Sequence, residues 1–292
     1  MKEFREYIYK KKKMELFAIE TGNFKLDGGA MFGVVPKKIW NEVYPADDNN
    51  LCNWAMRCLL VVDGDRKILI DNGIGNKQDE KFLKHYHLNG TDSLENSLKK
   101  NGYSFDDITD VVLTHLHFDH CGGSIVYNEK KELVPAFPNA VFHVSRQQWE
   151  WANNPNQREK ASFLHENIHP VKESGQLNLI DSDTALLPGF YAKFFNGHTD
   201  GQIIPHIQFK GRTVVFCADL FPSVAHLPLP YVMAYDTRPL LTLEERKMFF
   251  DEALANNYIL FFEHDLYHEC CDLNLTEKGV RAKDFFSLKD IT

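Results

Sequence analysis

The run Val111-Val112-Leu113-Thr114-His115-Leu116-His117-Phe118-Asp119-His120 decides how the rest of the chain is read. Its apolar start reads as a buried strand, and its end places four ligand-type side chains within six residues, His115 to His120. That density is not core packing. In a loop leaving a strand, alternate residues converge on one point, so His115 and His117 can hold one cation while Asp119 and His120 face a second. Three more candidates stand at the ends of later apolar runs: His198 in FFNGH, Asp219 in VVFCAD and His264 in LFFEH.

Outward from this run, the first third alternates apolar segments with turns. LFAIETGNFKL, WAMRCLLVVDG and RKILID read as strands, with Asp63-Gly64 as a hairpin turn. Helices are expected at about 78–88 and at 92–101, the latter capped by Asp92 or Ser93 and stopped at Gly102. YAKFFNGH, IIPHIQF, RTVVFCAD and YILFFEH give the second half its strands, and Thr242-Leu-Glu-Glu245 predicts a capping box opening a helix to about residue 256. Two strand-rich halves, each with helices, predict an α/β fold in which two mixed sheets pack face to face with helices outside. A single domain over 14–292 follows a basic extension at 1–13, whose lysines Lys10 to Lys13 form the only basic block.

Composition narrows the function. The 292 residues are 43% hydrophobic and 25% charged, an ordinary globular balance. Acidic residues outnumber basic ones by 41 to 33, and a formal charge of −8 argues against nucleic acid as partner. No apolar stretch approaches membrane-spanning length, so no membrane partner is expected. Six cysteines without framework spacing predict a reducing, cytoplasmic chain.

With its HxHxDH signature and the later His198, Asp219 and His264, the sequence resembles the metallo-β-lactamase superfamily over about residues 14 to 265. The resemblance implies an αβ/βα sandwich with two metals at one edge of the sheets. It assigns His115, His117 and His198 to one metal, Asp119, His120 and His264 to the other, and Asp219 to both. Zinc is the first choice for this ligand set, and iron or manganese also suits it. Two dications outweigh the two carboxylates and a bridging hydroxide, so the site stays positive and stabilises an oxyanion. The implied reaction is attack of that hydroxide on a carbonyl, with Asp119 orienting it or passing a proton. Gly122 and Gly123 fit a tight backbone turn behind the ligands, and Gln202 is a candidate support for the site.

Asp219 stands where true β-lactamases of this superfamily carry Cys, and Cys217 reads as a buried hydrophobe. The segments Leu26 to Trp40 and Leu220 to Pro239 resemble the branch of N-acyl homoserine lactonases and organophosphate hydrolases. Some of those lactonases carry a substrate-contacting Tyr three residues after the bridging Asp, where this chain has Pro222. His226, Tyr231 and Tyr235 are the candidates to replace it, with His226 the expected catalytic donor. The apolar loops 27–48 and 220–241 suit a pocket for a small molecule with an apolar part, or a homodimer interface. Ester or lactone hydrolysis is the expected reaction. A glyoxalase II-type thioester hydrolase, a phosphotriesterase, and a metal-bearing sensor with little turnover are the alternatives. The other histidines, His85, His87, His143, His165, His169, His206 and His268, show no ligand spacing: the first two are expected on an exposed helix and the rest as structural.

Overall fold

The structure, a computed structural model, describes residues 14–291, so the basic segment 1–13 lies outside the described residues. The first half supplies β1 (Glu15–Asp27), β2 (Leu51–Asp63), β3 (Arg66–Ile70) and β4 (Asp110–Val112). A separate ribbon pairs β5 (Ile125–Tyr127) with β6 (Leu133–Pro135), and β7 (Val141–Ser145) and β8 (Leu177–Ile180) complete a six-stranded sheet in the order β1-β2-β3-β4-β7-β8. The second half forms β9 (Thr184–Leu187), β10 (Phe190–Phe195), β11 (Gln202–Phe209), β12 (Arg212–Phe216), β13 (Ile259–Phe261), β14 (Cys270–Thr276) and β15 (Gly279–Phe286). These make a seven-stranded sheet in reverse order, β15 to β9. Both sheets are mixed: β3, β4, β7 and β8 run parallel to one another, as do β12 and β13, and the remaining pairs are antiparallel.

Alternation along the strands explains why the sheets face each other. Leu59 and Val61 of β2, with Ile68 and Ile70 of β3, pack with Ile203, Ile207, Val214 and Phe216 of the other sheet. Cys58, Leu60, Val62 and Leu69, the intervening residues, join a second cluster outside. There they meet Leu98 of α4 (Leu94–Lys100) and Ile168 and Val171 of α7 (His165–Glu173). Successive strand side chains point to opposite faces, so a strand buried on both sides feeds both layers. The other helices are α1 (Gly28–Phe32), α2 (Lys37–Val43), α3 (Glu80–Leu83), α5 (Phe118–Cys121), α6 (Arg146–Asn153) and α8 (Pro239–Ala255). Among the described residues, no helix is long and apolar enough to cross a membrane.

Two helices depart from the sequence expectation. The segment 78–88 keeps helical geometry only over α3, and the chain then turns to a left-handed His87 with φ 45°. Thr242 and Glu245 form no capping box, because α8 begins three residues earlier, at Pro239, whose missing N–H costs nothing at a helix start. Glu245 instead accepts hydrogen bonds from the backbone of Asn196 (2.6 Å) and Gly197 (2.9 Å), bracing the turn that leads to His198.

Gly122 and Gly123 are required by close approach. A Cβ on Gly122 would lie 2.0 Å from the Ile74 carbonyl oxygen, and one on Gly123 2.3 Å from that of Asn72. Gly122→Ala therefore pushes away the loop that carries Asp71. We expect a loss of roughly 1–3 kcal/mol of stability, read from urea denaturation; an unchanged midpoint would show that the loop yields freely.

Candidate metal centre

His115, His198, Asp219 and His264 each lie three residues beyond the last residue of a strand, β4, β10, β12 and β13 respectively. The turns that follow bring all four to one edge of the sandwich, and α5 adds Asp119 and His120 beside its N-cap, His117. Just before Asp219, Ala218 holds φ at 40°, a left-handed conformation that costs a residue with a Cβ on the order of 1–2 kcal/mol. The ligand atoms of His115, His117, His198 and Asp219 lie within 4.8 Å of one another, as do those of Asp119, His120 and His264.

The ring nitrogens settle how this cluster is built. On the outer side, His115 Nδ1 meets Thr114 Oγ1 (3.1 Å), whose own hydroxyl donates to Asp71, and His117 Nε2 meets Glu159 (3.2 Å). His120 Nδ1 lies 3.0 Å from both Asp71 and Glu263, His198 Nδ1 2.8 Å from Asp236, and His264 Nδ1 2.8 Å from the Ala55 carbonyl. Every outer partner is an acceptor, so each ring places its proton outward and its lone pair inward. Inside, ring nitrogens face one another: His117 Nδ1 is 2.9 Å from His115 Nε2 and 3.2 Å from His198 Nε2, and His120 and His264 Nε2 are 3.2 Å apart.

Asp219 touches both groups, with Oδ2 3.1 Å from His198 Nε2 and Oδ1 3.2 Å from His264 Nε2. Asp219 Oδ1 is buried without a hydrogen bond. Burial would raise its carboxyl, but His198 and His120 outweigh that and hold it well below the usual range. Burial and the neighbouring rings keep His115 well below an ordinary imidazole, and so unprotonated. Against burial, Asp219 and the neighbouring acids raise His120, His198 and His264 above an ordinary imidazole, so without an ion protons hold these rings to the carboxylates. Five imidazoles and two carboxylates whose mutual attraction rests on such protons are a donor set for divalent metal.

The outer acceptors are mostly invisible to the sequence reading. Asp71 directly follows β3, much as Asp219 follows β12, and Glu263 adjoins His264, so an acid at a strand end was the available signal for both. Glu159 and Asp236 lie in irregular loops with no such signal. Asp236→Asn should lower metal affinity or activity by about 10–100-fold, read by competition with a chromogenic chelator; full retention would show that the His198 contact orients nothing.

Above the cluster opens a cleft of about 410 Å3 lined by Leu26, Met31, Phe118 and Met233, with Tyr86 and Tyr235 also on its wall. His226 is not brought there. Its ring is fully buried, stacked on Phe32 at 4.7 Å, with Nδ1 on Ser223 and Nε2 on the Met31 carbonyl. An apolar, doubly hydrogen-bonded slot suits a packing imidazole, and burial pushes its pKa down to about 3. Tyr231 also lies outside this cleft, beside a neighbouring apolar hollow. Gln202 is buried with its amide unpaired, and Cys217 packs in the core. The Pro222 carbonyl accepts from His264 N at 3.2 Å. Arg246, wholly buried, donates to Leu220 and Tyr231 carbonyls and ties down the loop after Asp219.

A family description, the metallo-beta-lactamase superfamily, matches residues 57–262. The chain belongs to this superfamily, and it is a metal-dependent hydrolase of that fold. It is 26% identical over 234 residues to an N-acyl homoserine lactonase of Bacillus thuringiensis, spanning 75% of this chain and 84% of that one. A probable metal-dependent hydrolase from Staphylococcus aureus superposes with a TM-score of 0.86 at 28% identity, over 97% of this chain and 100% of that one. AidC, a dizinc quorum-quenching lactonase in complex with a product, shares the fold with a TM-score of 0.77 at 23% identity, covering 95% of each chain.

Proposed function

We propose that this chain hydrolyses lactones or carboxylic esters with an apolar acyl part, using two divalent metals, zinc first. The observation that carries the reading is the split donor set at the base of an apolar cleft: His115, His117 and His198 for one ion, Asp119, His120 and His264 for the other, and Asp219 facing both. The lactonase relatives named above support the substrate class. Bound there, the ions supply Lewis acidity, lowering the pKa of water and polarising a carbonyl.

The remaining tasks fall to this chain's side chains. Leu26, Met31, Phe118 and Met233 receive the acyl part and exclude water. Asp119, on the cleft floor, accepts a proton and returns it to the leaving oxygen. Tyr235 takes the donor role expected of His226. Burial, with Asp27 and Asp119 nearby, raises its phenol, so it stays protonated and able to donate to an oxyanion. Tyr86 behaves alike, raised to about 12 by burial and Asp119. Six free, buried cysteines support a reducing, cytoplasmic setting.

The test is kcat/KM for the metal-loaded protein across acyl lactones, aryl esters, lactoylglutathione, a phosphotriester, a phosphodiester and a cephalosporin. Lactones or aryl esters should lead. Preference for the thioester or the phosphotriester would move the protein to those classes. Absence of all turnover at full metal occupancy would make it a sensor.

A further inference from the structure

The stretch His165-Glu166-Asn167-Ile168-His169 opens α7, outside the centre described above. In the sequence both histidines read as structural, yet residues four apart on a helix share one face. Their rings meet there: His165 Nδ1 lies 2.9 Å from His169 Nε2. The same Nε2 is 2.9 Å from Asn153 Oδ1, at the end of α6. The amide orientation follows from its other end, where Asn153 Nδ2 donates to the Trp149 carbonyl at 2.7 Å.

One proton does not satisfy this arrangement. If His169 Nε2 is protonated and donates to Asn153, His165 Nδ1 is left facing the same hydrogen from the side. If His165 donates instead, Asn153 Oδ1 confronts a bare lone pair. A cation satisfies all three atoms. We propose that His165, His169 and Asn153 form a second, mononuclear site for a divalent transition ion, separate from the seven-ligand centre and independent of the reaction proposed above.

The donor set suits a transition ion. With metal–nitrogen bonds of about 2.0 Å, a nitrogen separation of 2.9 Å corresponds to an angle of roughly 90° at the metal, which Ni2+ or Cu2+ accommodates, and two imidazoles with an amide oxygen are donors that both ions accept. His165 is exposed and His169 half-buried, so the ion enters from solvent and keeps water in its open positions. Burial and His165 hold His169 below the usual imidazole range, which leaves its lone pair free at neutral pH. Exposed Glu173, one turn further on, adds negative potential, and Lys172 beside it opposes this.

Its position gives the site a consequence. The ion would join α6 to α7, and the chain between them carries Glu159, which bonds His117 and accepts from Trp151 Nε1 at 2.6 Å. Fixing both helices steadies the acid that orients one ligand of the main centre.

The test starts from protein saturated at the seven-ligand centre and titrates Ni2+ by calorimetry, with elemental analysis of the resident metal. One further equivalent should bind without releasing resident metal, raising Tm, and both effects should vanish in His165→Gln and His169→Gln. Asn153→Asp, which adds charge at the same oxygen, should tighten binding. The proposal is overturned if no further equivalent binds, if binding accompanies release of resident metal, or if His165→Gln binds Ni2+ as the unmodified protein does. His165 is exposed, so that variant tests the site without disturbing packing.

Discussion

Stripping the metal-loaded protein with a chelator should lower its melting temperature by on the order of 10 °C, with recovery on adding zinc. Ions held at about 1,000 times their dissociation constant stabilise the folded chain by about 4 kcal/mol, and each kcal/mol moves the transition of a chain near this size by roughly 2–4 °C. The cause is visible in the rings. Five imidazoles converge around Asp219, so an empty centre holds ring nitrogens 2.9–3.2 Å apart with protons standing in for the ions. Asp219 supports such protons at His198 and His264, but burial opposes one at His115 and His117, so those rings are left without a partner for their lone pairs. Differential scanning calorimetry decides the matter; a melting temperature indifferent to chelator would remove the physical basis for reading the cluster as a metal centre.

Asp219→Ala should reduce kcat/KM by at least ~10³-fold, since the residue holds both ions in the proposed arrangement and such ions contribute several kcal/mol to the barrier. It should also cost metal content, because no other side chain of the set reaches His198 and His264 together. The paired measurements are elemental analysis and turnover of the best ester or lactone. Near-native turnover with two equivalents of metal would show that the two groups do not share this carboxylate.

The strands that lead into the cluster were legible because each ends its apolar run close to a polar residue that no core would hold, as at VVFCAD and LFFEH. The sandwich was legible for a related reason: β2 carries apolar residues at both parities, as a strand covered on two faces must. What escaped depends on distances that spacing does not encode. Thr242 and Glu245 have the pattern of a capping box, but Pro239 competes for the helix start and Glu245 finds backbone amides across the loop. His226 and Tyr235 are nine residues apart in one irregular loop, and only packing against Phe32 decides which of them leaves the cleft. For His165 and His169 the separation of four is present in the sequence, but their third neighbour, Asn153, lies twelve residues upstream on another helix, where spacing gives no sign of it.

The proposed ligands are shared between the two halves of the chain. His115, His117, Asp119 and His120 follow the first sheet, whereas His198, Asp219 and His264 follow the second. In the proposed arrangement neither half completes a coordination sphere, so an ion bound there would work as a clasp across the seam between the sheets. Pulling the halves apart would then have to break coordinate bonds as well as apolar contacts. Mechanical strength would be coupled to metal occupancy, and a cell short of the metal would hold a protein whose halves open more readily to proteases.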